Sequence, residues 1–301
     1  MYEELNKELF SIVVKIGKKH LKRSNFKIQY IPQGKIYHTF KLTTADNSYV
    51  VRVGGKLRRF KWGDLRSEKW AYEHIKDILP VPEFFEIGDM CGVDYSIASF
   101  IPGVVPNPTD INIAKLAGTI LKKLHSQRFS RYGDINISND EGAFISWSEF
   151  IEKHIQTYID LLPRNIIPGK YLNLLKQIHQ ETNFTLEGSL LHGDFQRRNL
   201  LVNNGIISGI IDFDRCLIGD PYFDFGPILY HCEQNWTNNV IKGYFSDSSI
   251  PKHFYNKIYL YASVRALNVL SLIYVERGFI AQNVLNDLYK YLELGFNLIK
   301  I

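Results

Sequence analysis

Residues 191–202 read Leu-His-Gly-Asp-Phe-Gln-Arg-Arg-Asn-Leu-Leu-Val, and Ile210-Ile211-Asp212-Phe213-Asp214 follows soon after. No other stretch limits the fold and chemistry of this chain as tightly. The apolar runs 200–202 and 206–211 flank Asn203-Asn204-Gly205, a pattern that predicts a β-hairpin with its turn at those three residues. The hairpin brings Asp194, Asn199 and Asp212 to one end. Asp194 can accept a hydrogen bond from an attacking hydroxyl and take its proton late. Asn199 offers a neutral carbonyl oxygen to a magnesium ion, and Asp212 the hard anionic oxygen such an ion prefers. Such a set can move a phosphoryl group, a reaction that asks protein mainly for in-line positioning and charge neutralisation. Taken singly, an Asp and an Asn in a loop are turn residues or helix caps. Their order and spacing together carry the chemical reading.

The pattern H-x-D-x-x-x-x-N, followed by an apolar strand ending in Asp, outlines a kinase catalytic loop and metal-binding loop. With Gly219-Asp220-Pro221-Tyr222-Phe223-Asp224-Phe225 downstream, the chain resembles the aminoglycoside phosphotransferase family. This is the protein-kinase-like group of small-molecule kinases that also includes macrolide, choline and homoserine kinases. The resemblance implies Asp194 as the catalytic aspartate, Asn199 and Asp212 as magnesium ligands, and Asp224 as a structural acid steadying the catalytic loop. It also implies ATP or GTP as co-substrate and a small-molecule alcohol as acceptor. Gly193 replaces the arginine typical of protein kinases, and Asp214 stands in place of the glycine of D-F-G. The small-molecule branch accommodates both changes.

The rest of the chain supports a protein-kinase-like two-lobed α+β fold, with an antiparallel β small lobe over 1–101 and a mainly helical large lobe over 102–301. Leu5, Leu9, Ile12, Val13, Ile16 and Leu21 predict a helix over 2–21. Strands over 26–31, 36–42 and 49–53 form a meander. Gly34 sits where a phosphate-covering loop belongs, although G-x-G-x-x-G is absent and a lone glycine also suits a plain turn. Arg52, in the third strand, occupies the place of the kinase phosphate-binding lysine. Its forked, permanent cation suits phosphate; the alternative is an edge-strand arginine facing solvent. A helix over 64–78 places Glu68 to pair with Arg52, with Glu73 in reserve and an exposed i,i+4 partner as the other reading. Strands over 84–88 and 93–101 end at a Pro-Gly break. There Ser99, Phe100 and Ile101 resemble the hinge whose backbone reads an adenine edge. Helices follow over 113–125, 146–161, 168–180, 224–231, 237–245, 252–277 and 281–299, and His125 reads as a packing residue at a helix end.

Composition narrows the alternatives. The 301 residues are 45% hydrophobic and 22% charged, enough for ample core. The formal charge of +5 favours phosphate-bearing partners only weakly. The basic run Lys56-Leu57-Arg58-Arg59-Phe60-Lys61-Trp62 lacks a nucleic-acid recognition motif, so a solvated loop is preferred over a nucleic-acid partner. Cys91, Cys216 and Cys232 form no paired framework and suit a cytoplasmic protein. The acidic amino terminus is not a signal peptide, and no stretch reads as a membrane span.

The acceptor is less sharply drawn. Aminoglycosides are polycations whose sites should be rich in carboxylates. Glu233, Asp247, Glu276, Asp287 and Glu293 are balanced by as many basic residues. Tyr230, Trp236, Tyr255, Tyr259, Tyr261 and Tyr274 could instead line an aromatic pocket. An antibiotic kinase, aminoglycoside first, heads the readings. A choline- or homoserine-kinase-like metabolic enzyme follows, then a catalytically idle nucleotide-binding protein.

Overall fold

The computed structural model describes residues 2–22, 25–32, 37–54, 64–184, 187–246 and 248–299. Gly34, Asp247 and the basic run from Lys56 to Trp62 lie outside the described residues. The chain divides into two compact units, one of residues 1–103 with 208–215, the other of 104–207 with 216–301.

The first unit is a helix-backed antiparallel sheet. Its elements are α1 (Tyr2–Leu21), β1 (Lys27–Ile31), β2 (Tyr37–Thr43), β3 (Ser48–Gly54), α2 (Leu65–Ile75), β4 (Phe84–Asp89) and β5 (Asp94–Ser99). The strands lie in the order β1-β2-β3-β5-β4. Leu9, Ile12, Val13 and Ile16 form a helical stripe on α1. They pack with Phe40, Leu42, Val51, Val53, Tyr95 and Ile97 of the sheet into one core. Arg52 alternates with buried Val51 and Val53 and so points from the opposite face of β3. Asp64 caps α2 by accepting from the Arg66 amide at 3.0 Å.

The boundary expected at 101/102 differs from this division in two respects: the break falls at 103/104, and 208–215 groups with the first unit. Hydrogen bonds explain the second. The Ile210 amide donates to Pro80 at 2.8 Å and the Asp64 amide to Asp214 at 2.8 Å. The Ser208 hydroxyl donates to the Pro102 carbonyl at 2.8 Å.

The second unit opens with α3 (Ile111–Leu124), β6 (Arg128–Phe129), β7 (Tyr132–Asn136), β8 (Glu141–Phe144), α4 (Trp147–Asp160) and α5 (Gly169–Glu181). It continues with β9 (Gly188–Leu191), β10 (Leu200–Asn203), β11 (Ile206–Ile210) and β12 (Leu217–Gly219), β11 ending in the segment grouped with the first unit. The helices α6 (Phe225–His231), α7 (Gln234–Tyr244), α8 (Phe254–Arg277) and α9 (Gln282–Ile299) complete it.

A five-stranded sheet, ordered β6-β9-β12-β7-β8, is an addition to the mainly helical unit expected from sequence. Its strands are short. Those of β9 and β12 are buried at every position, so they show no alternation to read. Gly118 and Gly243 let α3 and α7 approach backbone to backbone. A Cβ at Gly118 would collide with the Val240 carbonyl, and one at Gly243 with that of Lys115.

The expectation that no stretch has the character of a membrane span is corrected by α8. Over an 18-residue window its mean hydropathy is 1.5, long and apolar enough to cross a membrane by length and composition. Its apolarity has a local cause: 61% of that window is buried within the protein, packed against α4, α5, α6 and α9. A helix that is hydrophobic all round belongs inside a core.

Candidate active site

In the first unit the candidate residues converge on Arg52. Its Nη2 pairs with Glu68 Oε2, and its Nη1 donates to Asp212 Oδ1 at 3.0 Å. Glu68 is buried on α2, and the Tyr72 hydroxyl, one turn later, donates to its Oε1 at 2.9 Å. The same hydroxyl accepts from the Asp212 amide at 3.1 Å. Burial works against the guanidinium charge, but Asp212, with Asp214 beyond it, holds the Arg52 pKa above its ordinary value. Burial likewise pushes the Tyr72 phenol up, so it stays a hydrogen-bond donor. Glu73 pairs instead with Lys69 on the surface, at 3.6 Å.

Asp212 has φ 71°, a left-handed conformation that costs a non-glycine residue on the order of 1 kcal/mol. Its side chain remains 40% exposed. A strained, accessible carboxylate beside a half-buried arginine is unusual as mere scaffolding, and such strain concentrates at functional positions.

At the expected hinge, two of three amides serve the sheet. The Ser99 amide donates to Glu83 at 2.8 Å and the Phe100 amide to Ser48 at 3.1 Å. The Ile101 amide has no partner among the described residues.

In the second unit, β9 delivers His192, Gly193 and Asp194 into a buried loop. Asp224, fully buried, accepts from the His192 and Gly193 amides at 2.8 Å each. His125 Nε2 lies 3.1 Å from Asp224, and its Nδ1 3.0 Å from the Tyr244 hydroxyl. The histidine at the end of α3 therefore does more than pack; it helps hold the acid that holds the loop. Gly193 sits at φ 76°, where a side chain would be strained. Downstream, Asp220 accepts from buried Lys257 at 2.6 Å and from the Tyr222 amide at 3.0 Å, which anchors the 219–225 segment.

Asp194 Oδ1 accepts from Gln196 Nε2 at 2.7 Å and from Arg265 Nη2 at 2.5 Å; Arg198 lies 3.4 Å from Oδ2. Asn199 closes a short helical turn and donates its amide to the Asp194 carbonyl at 2.9 Å. That bond leaves the amide oxygen as the end able to ligate a cation. The predicted hairpin turn is built as the Asn-Gly pair requires, with φ 50° at Asn204 and 76° at Gly205.

Three participants escaped the sequence reading: Tyr72, Gln196 and Arg265. Arg265 left a signal, since an arginine in the middle of a long, largely buried helix must find a partner. Two of the proposed aromatic pocket residues are corrected. Trp236 and Tyr261 are core side chains, and Tyr261 accepts from Trp147 Nε1 at 2.9 Å. Their apolar bulk is spent on packing. Arg197 donates to the Pro106 carbonyl at 2.8 Å and lies 3.4 Å from Glu233.

A buried loop presenting an aspartate and an asparagine, in an α+β chain with an antiparallel sheet that carries an arginine–glutamate pair, defines a kinase-like protein. The sequence model described as the phosphotransferase enzyme family matches residues 27–266, and the chain belongs to that family. Hygromycin-B 4-O-kinase of Escherichia coli is 21% identical over 221 residues, covering 67% of this chain and 62% of that protein's length. A thermostable mutant of aminoglycoside phosphotransferase APH(4)-Ia, solved as a ternary complex with AMP-PNP and hygromycin B, superposes with a TM-score of 0.73. It is 17% identical, over 96% of this chain and 98% of that one. Choline kinase LicA of Streptococcus pneumoniae gives 0.70 at 16% identity, over 96% and 99%.

Proposed function

We propose that this protein is a magnesium-dependent small-molecule O-phosphotransferase, which moves the γ-phosphoryl group of ATP or GTP to an alcohol. The observation that carries the reading is the Asp194 loop. Its backbone is locked by Asp224 while its carboxylate is gripped by two side chains. Loop rigidity of this kind preorganises a base, and preorganisation is most of what phosphoryl transfer needs.

In this reading Asp194 orients the acceptor hydroxyl and takes its proton late. Arg52, steadied by Glu68, lies over the nucleotide phosphates, and the Ile101 amide together with the Ser99 carbonyl meets the purine edge, Phe100 standing between them. Gly34 belongs to the same nucleotide-binding proposal. Asn199 and Asp212 would hold magnesium, which would offset charge on the phosphates. Among the described residues no three His, Cys, Asp or Glu side chains gather around one metal position. A carboxylate and an amide oxygen nonetheless fit magnesium, which keeps several waters and phosphate oxygens as its remaining ligands. The three free cysteines support a reducing, cytoplasmic setting.

For the acceptor we place an aminoglycoside-type antibiotic first, by family and by likeness to the hygromycin kinase, with a metabolic amino alcohol second. The test is acceptor-dependent ADP or GDP release with magnesium, using hygromycin B, kanamycin, choline and homoserine in turn. Acceptor-dependent release that disappears in Asp194→Ala supports the reading. Nucleotide binding with no release for any acceptor, and no magnesium-dependent hydrolysis, overturns it in favour of an idle nucleotide binder.

A further inference from the structure

Arg265 is a feature of the Asp194 neighbourhood that the loop motif does not account for. It projects from α8, a helix otherwise devoted to core packing, and its side chain is only 10% exposed. A cation so placed is unfavourable unless paired. Its Nη2 reaches Asp194 Oδ1 at 2.5 Å, its Nε lies 3.1 Å from His231 Nε2, and its Nη1 lies 3.4 Å from Asn268 Oδ1. The guanidinium is thus held by two further groups besides the carboxylate.

The consequence falls on geometry. Gln196 and Arg265 both donate to Oδ1 from different elements, and together they fix the carboxylate rotamer. Oδ2 faces the more exposed Arg198, whose side chain is 48% exposed and 3.4 Å away. We propose that Arg265 is a positioning residue: it clamps Asp194 Oδ1 so that Oδ2 is the oxygen presented to the acceptor hydroxyl. This rests on the kinase reading of Asp194 given above. It also makes the core helix α8, and not the loop alone, a determinant of turnover.

The test joins unfolding to kinetics. Thermal unfolding of the wild type, Arg265→Gln, Asp194→Asn and the double variant reads the pair whether or not the protein turns over. The expected result is strong non-additivity, with Arg265→Gln costing much less once Asp194 is neutral; additive shifts would overturn the clamp. With hygromycin B and magnesium-ATP, Arg265→Gln is expected to lower kcat roughly a hundredfold, as misplacement of a reacting group does, while the KM for ATP stays near wild type. Arg265→Lys should recover part of the loss, and guanidinium ion should partly rescue Arg265→Ala. Wild-type kcat in Arg265→Gln, or a loss that neither lysine nor guanidinium relieves, would overturn the positioning role. Absence of turnover in the wild type with every acceptor and nucleotide would instead count against the kinase reading, and the unfolding cycle would still decide the pair.

Discussion

The two units build their charged centres in opposite senses. In the first, a cation sits at the middle: half-buried Arg52 lies between Glu68 and Asp212, and Tyr72 ties both carboxyl-bearing residues together. In the second, carboxylates sit at the middle. Asp224 is ringed by two backbone amides and a histidine, Asp194 by an amide side chain and two arginines. A centre built around a cation suits polyanionic phosphates, while one built around a held carboxylate suits a hydroxyl proton. The contrast also separates two kinds of support. Asp224 is satisfied mainly by backbone, which a side-chain change elsewhere cannot remove, whereas Arg52 and Asp194 depend on single side chains from neighbouring elements.

The largest expected effect tests the carboxylate centre. Asp194→Ala should reduce acceptor phosphorylation by about a thousandfold or more, within the range of a lost general base with its positioning, and leave nucleotide affinity measured by calorimetry nearly intact. Next, Asp224→Ala should destabilise the fold by about 3 to 5 kcal/mol, because two buried amides and His125 lose their partner together. Urea unfolding measures this, and a change within 1 kcal/mol of wild type would mean the loop holds itself.

The cation centre should respond more mildly. Glu68→Gln should cost about 2 kcal/mol of stability, since Arg52 retains Asp212, and raise the KM for nucleotide roughly tenfold with a smaller change in kcat. A kcat loss larger than the KM change would show that Arg52 acts in the second centre's chemistry as well. The smallest effect compares thiols. Burial raises the Cys232 pKa to about 11, whereas Cys91 is exposed. The thiolate is the reactive form, so a raised pKa means less of it at neutral pH. Iodoacetamide at pH 8 should therefore label Cys91 first, with Cys232 gaining reactivity only as the pH approaches 11; equal rates at pH 8 would contradict this.

Much of this architecture was legible in one dimension. The stripe on α1, the meander of β1 to β3 and the helix α9 repeat apolar residues at the period of their own element, whereas α8 is apolar all round and shows itself by the length of its apolar run. The Asn-Gly turn announced its hairpin, and Arg52 with Glu68 followed from their order along the chain. The five-stranded sheet of the second unit did not show, because strands such as β9 and β12 are buried on both faces and too short to alternate. Gln196, Tyr72 and Arg265 did not show either.

The sequence alone determined which chemical groups exist and the local elements that carry them, since helix and strand periodicity, turn chemistry and motif spacing act over a few residues. Tertiary structure decided which groups meet. Arg265 lies 71 residues from Asp194, and Asp212 lies 160 from Arg52. Contacts at such separations are set by how helices and sheets pack their apolar faces, a property of the assembled core that no window along the chain contains.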